Sequence, residues 1–290
     1  KNPELPDGPP GEYLTDRLTD EALKFVEANK DRPFFLYLPH YAVHVPLQAK
    51  AELIEKYKNK PGSNGQSNPT YAAMIESSDQ GVGRIMARLD ELNLAENTIV
   101  FFFSDNGGVK GITSNEPLRG GKGMLYEGGI REPMAVRWPS VVKPGSTCDT
   151  PIIGVDFYPT ILEMTGAPKP AGKLLDGESI VPLLKGAKAL KRKALFWHFP
   201  AYLEGKAEGA RDPHFRTRPG GAVRAGDWKL IEYFEDGALE LYNLKDDIGE
   251  QKNLAEALPD KTAELHKLML TWRKALNAPV PTELNPEYSP

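Results

Sequence analysis

The sequence has one cysteine, Cys148, in 290 residues, so no internal disulfide can form and zinc-ribbon spacing is excluded. It has no excess of positive charge. The 36 Lys and Arg residues face 40 Asp and Glu, a formal net charge of -4, which argues against a nucleic-acid partner. No apolar run reaches membrane-spanning length. There is no initiator Met and no apolar stretch of signal-peptide type, and the Pro- and Gly-rich segment from Lys1 to Gly11 reads as a loop cut open inside a longer protein. Two nucleotide-binding motifs are also missing. Met86 stands where a dinucleotide fingerprint through Gly81 and Gly83 needs its third glycine. Lys122 is followed by Gly123, where a P-loop needs Ser or Thr. The apolar share of 40% and charged share of 26% are ordinary for a globular chain long enough for one large domain or two unequal ones.

The chain is organised around Thr98–Gly108. Ile99–Phe103 is a continuous β-branched and aromatic run, as expected of a strand buried on both faces in a parallel sheet. Ser104, Asp105 and Asn106 follow before two glycines, which puts a carboxylate and an amide carbonyl at the carboxyl edge of the sheet, where open α/β folds bind ligands. Both groups offer hard oxygen, suited to Ca²⁺ or Mg²⁺. These residues also suit a simple turn, since Asp, Asn and Asn-Gly start turns for local reasons.

Helical spacing predicts helices over Leu14–Asn29, with Thr15 or Thr19 as N-cap, and over Gln48–Lys58. A long helix follows Asn68, its N-cap, with Pro69 at the first position. Gly81 and Gly83 interrupt it, which suggests close packing. Phe34–Leu38 and Pro133–Trp138 are further buried-strand candidates. The first leads into a proline-braced loop holding His40 and His44, either of which could instead satisfy a buried carbonyl. Leu118–Pro133 is dense in glycine, with Arg119, Lys122 and Arg131 interleaved. This pattern suits backbone approach to an anion and equally suits a flexible surface loop.

Beyond Pro144-Gly145 the pattern predicts helices over Asp156–Thr165 and Ser179–Leu184, then a basic solvated linker over Lys185–Lys193. Strands over Leu195–Phe199, Ala222–Ala225, Trp228–Phe234 and Leu239–Asn243, joined by Gly-containing turns, read as an antiparallel meander. Lys261–Asn277 reads as an amphipathic helix with Leu265, Leu268, Met269 and Trp272 inward, and the tail from Pro279 as irregular. The expected fold class is α/β: a mostly parallel sheet sandwiched by helices, then a small antiparallel sheet with one helix. The boundary falls near Lys188, giving residues 1–188 and 189–290. His198, Arg211, His214 and Arg216 open the second part, where packing or surface roles suit each, although they could line a pocket. Asp246-Asp247 reads as a solvated acidic turn.

Pro39-His40-Tyr41-Ala42-Val43-His44-Val45-Pro46, Ser104-Asp105-Asn106-Gly107-Gly108 and Leu118–Pro133, in this order, resemble the formylglycine-dependent arylsulfatase-type sulfatases of the alkaline phosphatase superfamily. Ala222–Leu230 followed by Glu240-Leu241-Tyr242-Asn243-Leu244 resembles that family's small terminal domain. The resemblance runs from about Tyr13 to the end. It implies that Asp105 and Asn106 are ligands of a bound Ca²⁺ rather than Mg²⁺, that Lys122 contacts the sulfate, and that His44 assists leaving-group departure. The activity implied is hydrolysis of aryl or carbohydrate sulfate esters, in a periplasmic or secreted protein.

The resemblance also implies an upstream acidic pair and a Cys or Ser oxidised to the formylglycine nucleophile. Cys148-Asp149-Thr150-Pro151 does not fit that signature and reads as structural. The chain is therefore expected to be the C-terminal portion of a sulfatase, with half an active site, inactive without the missing N-terminal part. A phosphodiesterase or phosphonate hydrolase of the same superfamily, and a non-catalytic sulfated-sugar binding protein on this scaffold, remain as alternatives.

Overall fold

The computed structural model describes residue 6, residues 8–205 and residues 209–283; most of the N-terminal loop and the end of the proline-rich tail lie outside these. In chain order the helices are α1 (Leu14–Asn29), α2 (Ala51–Lys58), α3 (Pro69–Glu91), α4 (Glu127–Ile130), α5 (Phe157–Thr165), α6 (Val181–Leu184) and α7 (Pro259–Ala275). The strands are β1 (Val100–Phe103), β2 (Met134–Arg137), β3 (Leu195–Phe199), β4 (Leu203–Glu204), β5 (Phe215–Thr217), β6 (Gly220–Ala225), β7 (Trp228–Tyr233) and β8 (Leu239–Asn243). The chain forms two compact units. One runs to Phe101 and adds Val136–Lys143; the other takes Phe102–Ala135 and continues from Pro144.

In the first unit α1 and α2 both pack on α3. Val26, Leu89 and Ala95 form its buried centre, with Phe34, Leu36 and Ile85 against them. Asn68 caps α3 as expected: its Oδ1 accepts the Tyr71 N–H at 3.0 Å. The expected caps of α1 are corrected. Tyr13 is the N-cap without a side-chain bond, and Thr15 and Thr19 are buried inside the helix. Thr19 donates to the Thr15 carbonyl and faces Gly81 of α3, where a Cβ would stand 2.5 Å from its hydroxyl oxygen. Gly81 thus permits a close helix contact, whereas Gly83 faces open space.

Two strand expectations are also corrected. Phe34–Leu38 is not a strand: no partner bonds it among the described residues, and its side chains alternate, with Phe34 and Leu36 inward while Phe35 and Tyr37 are 67% and 76% exposed. β1 forms and pairs with β2, but Phe102 and Phe103 are exposed rather than buried on both faces. Period-2 geometry turns alternate side chains of residues 34–38 to opposite faces, of which one finds cover, whereas in β1 burial falls along the strand, with Val100 and Phe101 partly covered and Phe102 and Phe103 exposed.

In the second unit a four-stranded antiparallel sheet runs in the order β3-β6-β7-β8. Alternation builds two cores on its two faces. Ala222, Ile231 and Tyr242 pack with Met124, Leu125 and Tyr126 of the glycine-rich segment. Val223, Leu230 and Leu241 pack with Leu265 and Met269 of α7. Trp272 of α7 stacks on Phe196 at 4.7 Å, but Leu268 is exposed rather than inward. The β4–β5 hairpin, between β3 and β6, went unforeseen. The expected basic linker is not wholly solvated either. Leu190 is buried, and the Arg192 guanidinium holds both oxygens of the buried Asp156 carboxylate, which also accepts the Ile153 and Glu178 N–H groups.

The two glycines of α3 give opposite expectations. Gly83→Ala should stabilise by about 0.5–1 kcal/mol, through helix propensity with no new contact. Gly81→Ala should destabilise by about 1–3 kcal/mol, because overpacking against Thr19 outweighs the same propensity gain. Urea unfolding of the two variants reads the difference; equal shifts of one sign would refute the close contact.

Candidate active site

The glycine-rich segment is not a flexible surface loop. Gly120, Gly121 and Met124–Gly129 are buried, and backbone packs on backbone. A Cβ on Gly107 would fall 1.8 Å from the Gly128 carbonyl oxygen, and one on Gly129 would fall 2.2 Å from that of Met124. The glycines serve this mutual approach of chain segments. Gly107 donates to the Gly129 carbonyl at 3.1 Å, and Lys122 donates its backbone N–H to the Gly108 carbonyl at 3.0 Å. Asn115 braces the same place. Its Oδ1 accepts the Gly108 N–H, while its Nδ2 donates to the Gly108 and Gly120 carbonyls. The turn bearing Asp105 and Asn106 is therefore tied directly to the segment bearing Lys122.

The three cations of the segment have different fates. Arg119 lies over the Tyr126 ring at 3.9 Å and donates to the Tyr242 hydroxyl and the Glu250 carbonyl. Arg131 reaches the Glu127 carboxylate at 3.4 Å. Lys122, partly exposed, has no side-chain hydrogen bond or ion pair among the described residues.

Beneath this edge lies a buried charge cluster. The Lys229 ammonium, fully buried, stands 3.1 Å from Glu127 and 2.9 Å from Glu250. Glu250 also accepts the Glu127 backbone N–H at 2.6 Å, and Arg224 lies 3.5 Å from Glu127. Burial alone would push Glu127 up, but Lys229 and Arg224 hold it below the ordinary value. At Glu250 burial prevails over the shared Lys229, and its carboxyl is held above the ordinary range. Beside this cluster, Glu240 accepts the hydroxyls of Tyr126 and Tyr242 at 2.8 and 2.9 Å, and Tyr233 donates to Tyr126. Burial pushes all three phenols up, so they act as neutral donors.

At the edge itself Asp105 is exposed and Asn106 partly so. Asn106 Nδ2 donates to the Gly107 carbonyl at 3.3 Å, which leaves its Oδ1 as an available acceptor. Burial pushes the Glu132 carboxyl up, opposed by a hydrogen bond with Ser104 and helped by the Asp105 charge. Hard oxygens with an unbalanced carboxylate charge fit a divalent cation. Among the described residues, no group of three or more His, Cys, Asp or Glu side chains gathers for a metal. Ca²⁺ takes about six to eight oxygens, so Asp105 and Asn106 alone would supply only part of a coordination sphere.

His44 belongs to the first unit. It is exposed; its N–H bonds the Tyr41 carbonyl at 2.9 Å, and its Nδ1 lies 3.0 Å from the Val45 carbonyl. A carbonyl can only accept, so Nδ1 carries the proton and Nε2 is left for other chemistry. His40 Nδ1 is buried without a partner among the described residues, and burial pushes this histidine down.

The remaining candidates have structural surroundings. His198 hydrogen-bonds the Pro279 carbonyl and packs on Phe234; Arg211 pairs with Asp236 and covers the Tyr233 ring; His214 is exposed. Asp247 accepts the Gln251 and Lys252 N–H groups within its turn, and Cys148 is exposed and unpaired. Sequence reasoning missed Asn115, Lys229, Glu240 and Glu250. Nothing in their local pattern announces them, because each is defined by a partner far away in the chain.

A family profile described as Sulfatase matches residues 1–167, and one described as N-sulphoglucosamine sulphohydrolase, C-terminal, matches residues 121–275. A protein named Sulfatase from Formosa agariphila is 37% identical over 96% of this chain and 53% of its own length. Steryl-sulfatase of Mus musculus is 40% identical over 66% of this chain and 31% of its own length. The crystal structure of Ps i-CgsB in complex with k-i-k-neocarrahexaose superimposes with a TM-score of 0.75 at 31% identity, covering 90% of this chain and 55% of that one. These likenesses carry the α/β, alkaline-phosphatase-like fold. The chain spans about half the length of the full-coverage relative, and less of the steryl-sulfatase.

Lys229→Met should cost about 3–5 kcal/mol at pH 7, because it leaves two buried carboxylates without their shared cation. Glu250 sits above the ordinary carboxyl range, so on acidification it takes up a proton before ordinary carboxylates and the stranded charge is relieved. The deficit should therefore shrink between pH 7 and pH 5 in urea unfolding, and Glu250→Gln should partly rescue Lys229→Met at pH 7. A pH-independent deficit without rescue would refute the charge account.

Proposed function

The chain belongs to the sulfatase family, and on that premise we propose that it carries one part of the active site of a sulfuric ester hydrolase acting on aryl or carbohydrate sulfates. The observation that carries the proposal is Lys122. It is the cation of the glycine-rich segment left without an internal partner among the described residues, and its own backbone is bonded to the turn of Asp105 and Asn106. An ammonium carried on backbone that is bonded to the turn of the hard oxygen ligands suits the negative charge shared by the three free oxygens of a sulfate ester, which must be neutralised for transfer.

In this reading Asp105 and Asn106 hold a Ca²⁺ ion together with ligands from the rest of the protein. Bound there, the ion supplies charge neutralisation on the sulfate oxygens. Lys122 binds and orients the sulfate. His44, its Nδ1–H fixed on the Val45 carbonyl, presents Nε2 and in its protonated form gives a proton to the departing ester oxygen. The nucleophile, an oxidised Cys or Ser, is assigned to the missing N-terminal part, on which activity depends. The division near Lys188 into a catalytic part and a small C-terminal domain accompanies the proposal, as does a periplasmic or secreted location. Among the described residues no helix is long and apolar enough to cross a membrane.

The roles separate by leaving group and by metal. In the full-length enzyme, His44→Ala should reduce turnover of esters with poor leaving groups by about 10²–10⁴-fold. It should affect activated aryl sulfates far less, while Lys122→Ala should reduce both alike. Asp105→Ala should abolish tight Ca²⁺ binding in titration calorimetry. A uniform His44→Ala loss across the leaving-group series would contradict its role as acid. Unchanged calcium affinity in Asp105→Ala would return that turn to a purely structural role. Hydrolysis of phosphodiesters in preference to sulfate esters would move the reading to the phosphoryl-transfer relatives.

A further inference from the structure

The small hairpin β4–β5 comes against the glycine-rich segment at Gly123, the residue after Lys122. Gly123 has a φ of +88°, and a Cβ there would meet Leu203 of β4 at 2.2 Å and the Arg216 Cδ of β5 at 3.0 Å. The glycine thus admits the Arg216 stem directly alongside the Lys122 backbone. The Arg216 guanidinium continues past Gly205, where a Cβ would lie 3.1 Å from its terminal nitrogen.

Three arginines, Arg211, Arg216 and Arg218, line one small recess with Met124, Phe215 and Tyr233. Two of them are neutralised. Arg211 makes paired bonds to Asp236, and Arg218 binds Asp212 and Glu235. Arg216 has no carboxylate or hydrogen-bond partner among the described residues and is half-buried. A half-buried guanidinium without a counter-ion is costly unless an anion fills the place. Its planar donor fork matches sulfate or carboxylate.

We propose that Arg216 is a specificity-determining residue that binds a second anionic group, a further sulfate or a carboxylate, on the sugar whose sulfate ester sits at Lys122. The inference rests on the sulfatase reading and narrows its substrate class to polyanionic carbohydrates. Gly123 keeps the Arg216 stem against the segment that carries Lys122, and in this reading one ligand of sugar size spans both cations. The Arg211 and Arg218 pairs hold the surrounding hairpin in place without competing for the anion.

The test compares glucosamine-2-N,6-O-disulfate, glucosamine 6-sulfate and 4-nitrophenyl sulfate as ligands and substrates of the full-length enzyme. Arg216→Ala should raise KM, and weaken calorimetric binding, for the disulfated sugar by about 10- to 100-fold. It should leave kcat on that sugar and both constants on 4-nitrophenyl sulfate near their original values. Arg216→Lys should recover part of the loss. Equal losses on all three compounds, or none on the disulfated sugar, would overturn the proposal. If the unsubstituted enzyme hydrolyses no sulfate ester, the sulfatase reading itself fails. The calorimetric comparison then still decides whether Arg216 is an anion contact, because binding does not require turnover.

Discussion

The glycine-rich segment and the turn of Asp105 and Asn106 depend on one ammonium group out of reach of water. Lys229, on the central strand β7, lies between Glu127 of α4 and Glu250 of the loop after β8. Removing three charges from water is expensive, and it succeeds here because each finds more than one partner: Glu127 also has Arg224 and Arg131, and Glu250 also takes the Glu127 backbone N–H. The consequence is mechanical. α4 ends the glycine-rich segment, so fixing Glu127 fixes that segment on the sheet. Arg119 and the tyrosine network around Glu240 add a second attachment. The segment in turn holds the Asp105–Gly108 turn through Gly129, Lys122 and Asn115. A small antiparallel sheet, remote in sequence, thereby sets where the edge residues stand.

This arrangement gives the C-terminal sheet two different faces. One is an ordinary apolar contact with α7, built on Leu265 and Met269. The other carries aromatic residues whose hydroxyls are all bonded, together with the buried ions. Polar burial of this kind adds less net stability than an apolar core of the same size would, but it specifies geometry, since these donors are held by acceptors at hydrogen-bond distance. That is a reasonable foundation for a site that must present Lys122 with little freedom.

The parts of the fold legible in the sequence were those written in local periodicity and punctuation. Asn68-Pro69 started α3, the Ala225-Gly226-Asp227 turn joined β6 to β7, and Leu195–Phe199 and Leu239–Asn243 were strands to the residue. Misreadings came where a distant partner decides. Thr19 looked like a cap and is instead a packing partner of Gly81. Arg192 looked solvated and is claimed by Asp156. Phe34–Leu38 has strand composition, yet composition does not supply a neighbouring strand to bond it. For the site, Asp105, Asn106 and Lys122 were singled out in the sequence, and the structure links the backbone of the two segments that carry them. The role of the glycines differed, because density of glycine indicates close approach without saying whether an anion or another stretch of backbone approaches.

The most direct test of the dependence on Lys229 is amide hydrogen exchange on the Lys229→Met variant under native conditions. Chain-locked support of the edge predicts that the amides of Gly107, Lys122, Gly128 and Gly129 lose most of their protection, while those inside α1 and α3 keep theirs. Protection of those four amides equal to that of the unsubstituted protein would contradict the account, and the buried charge cluster would then have no part in holding the site.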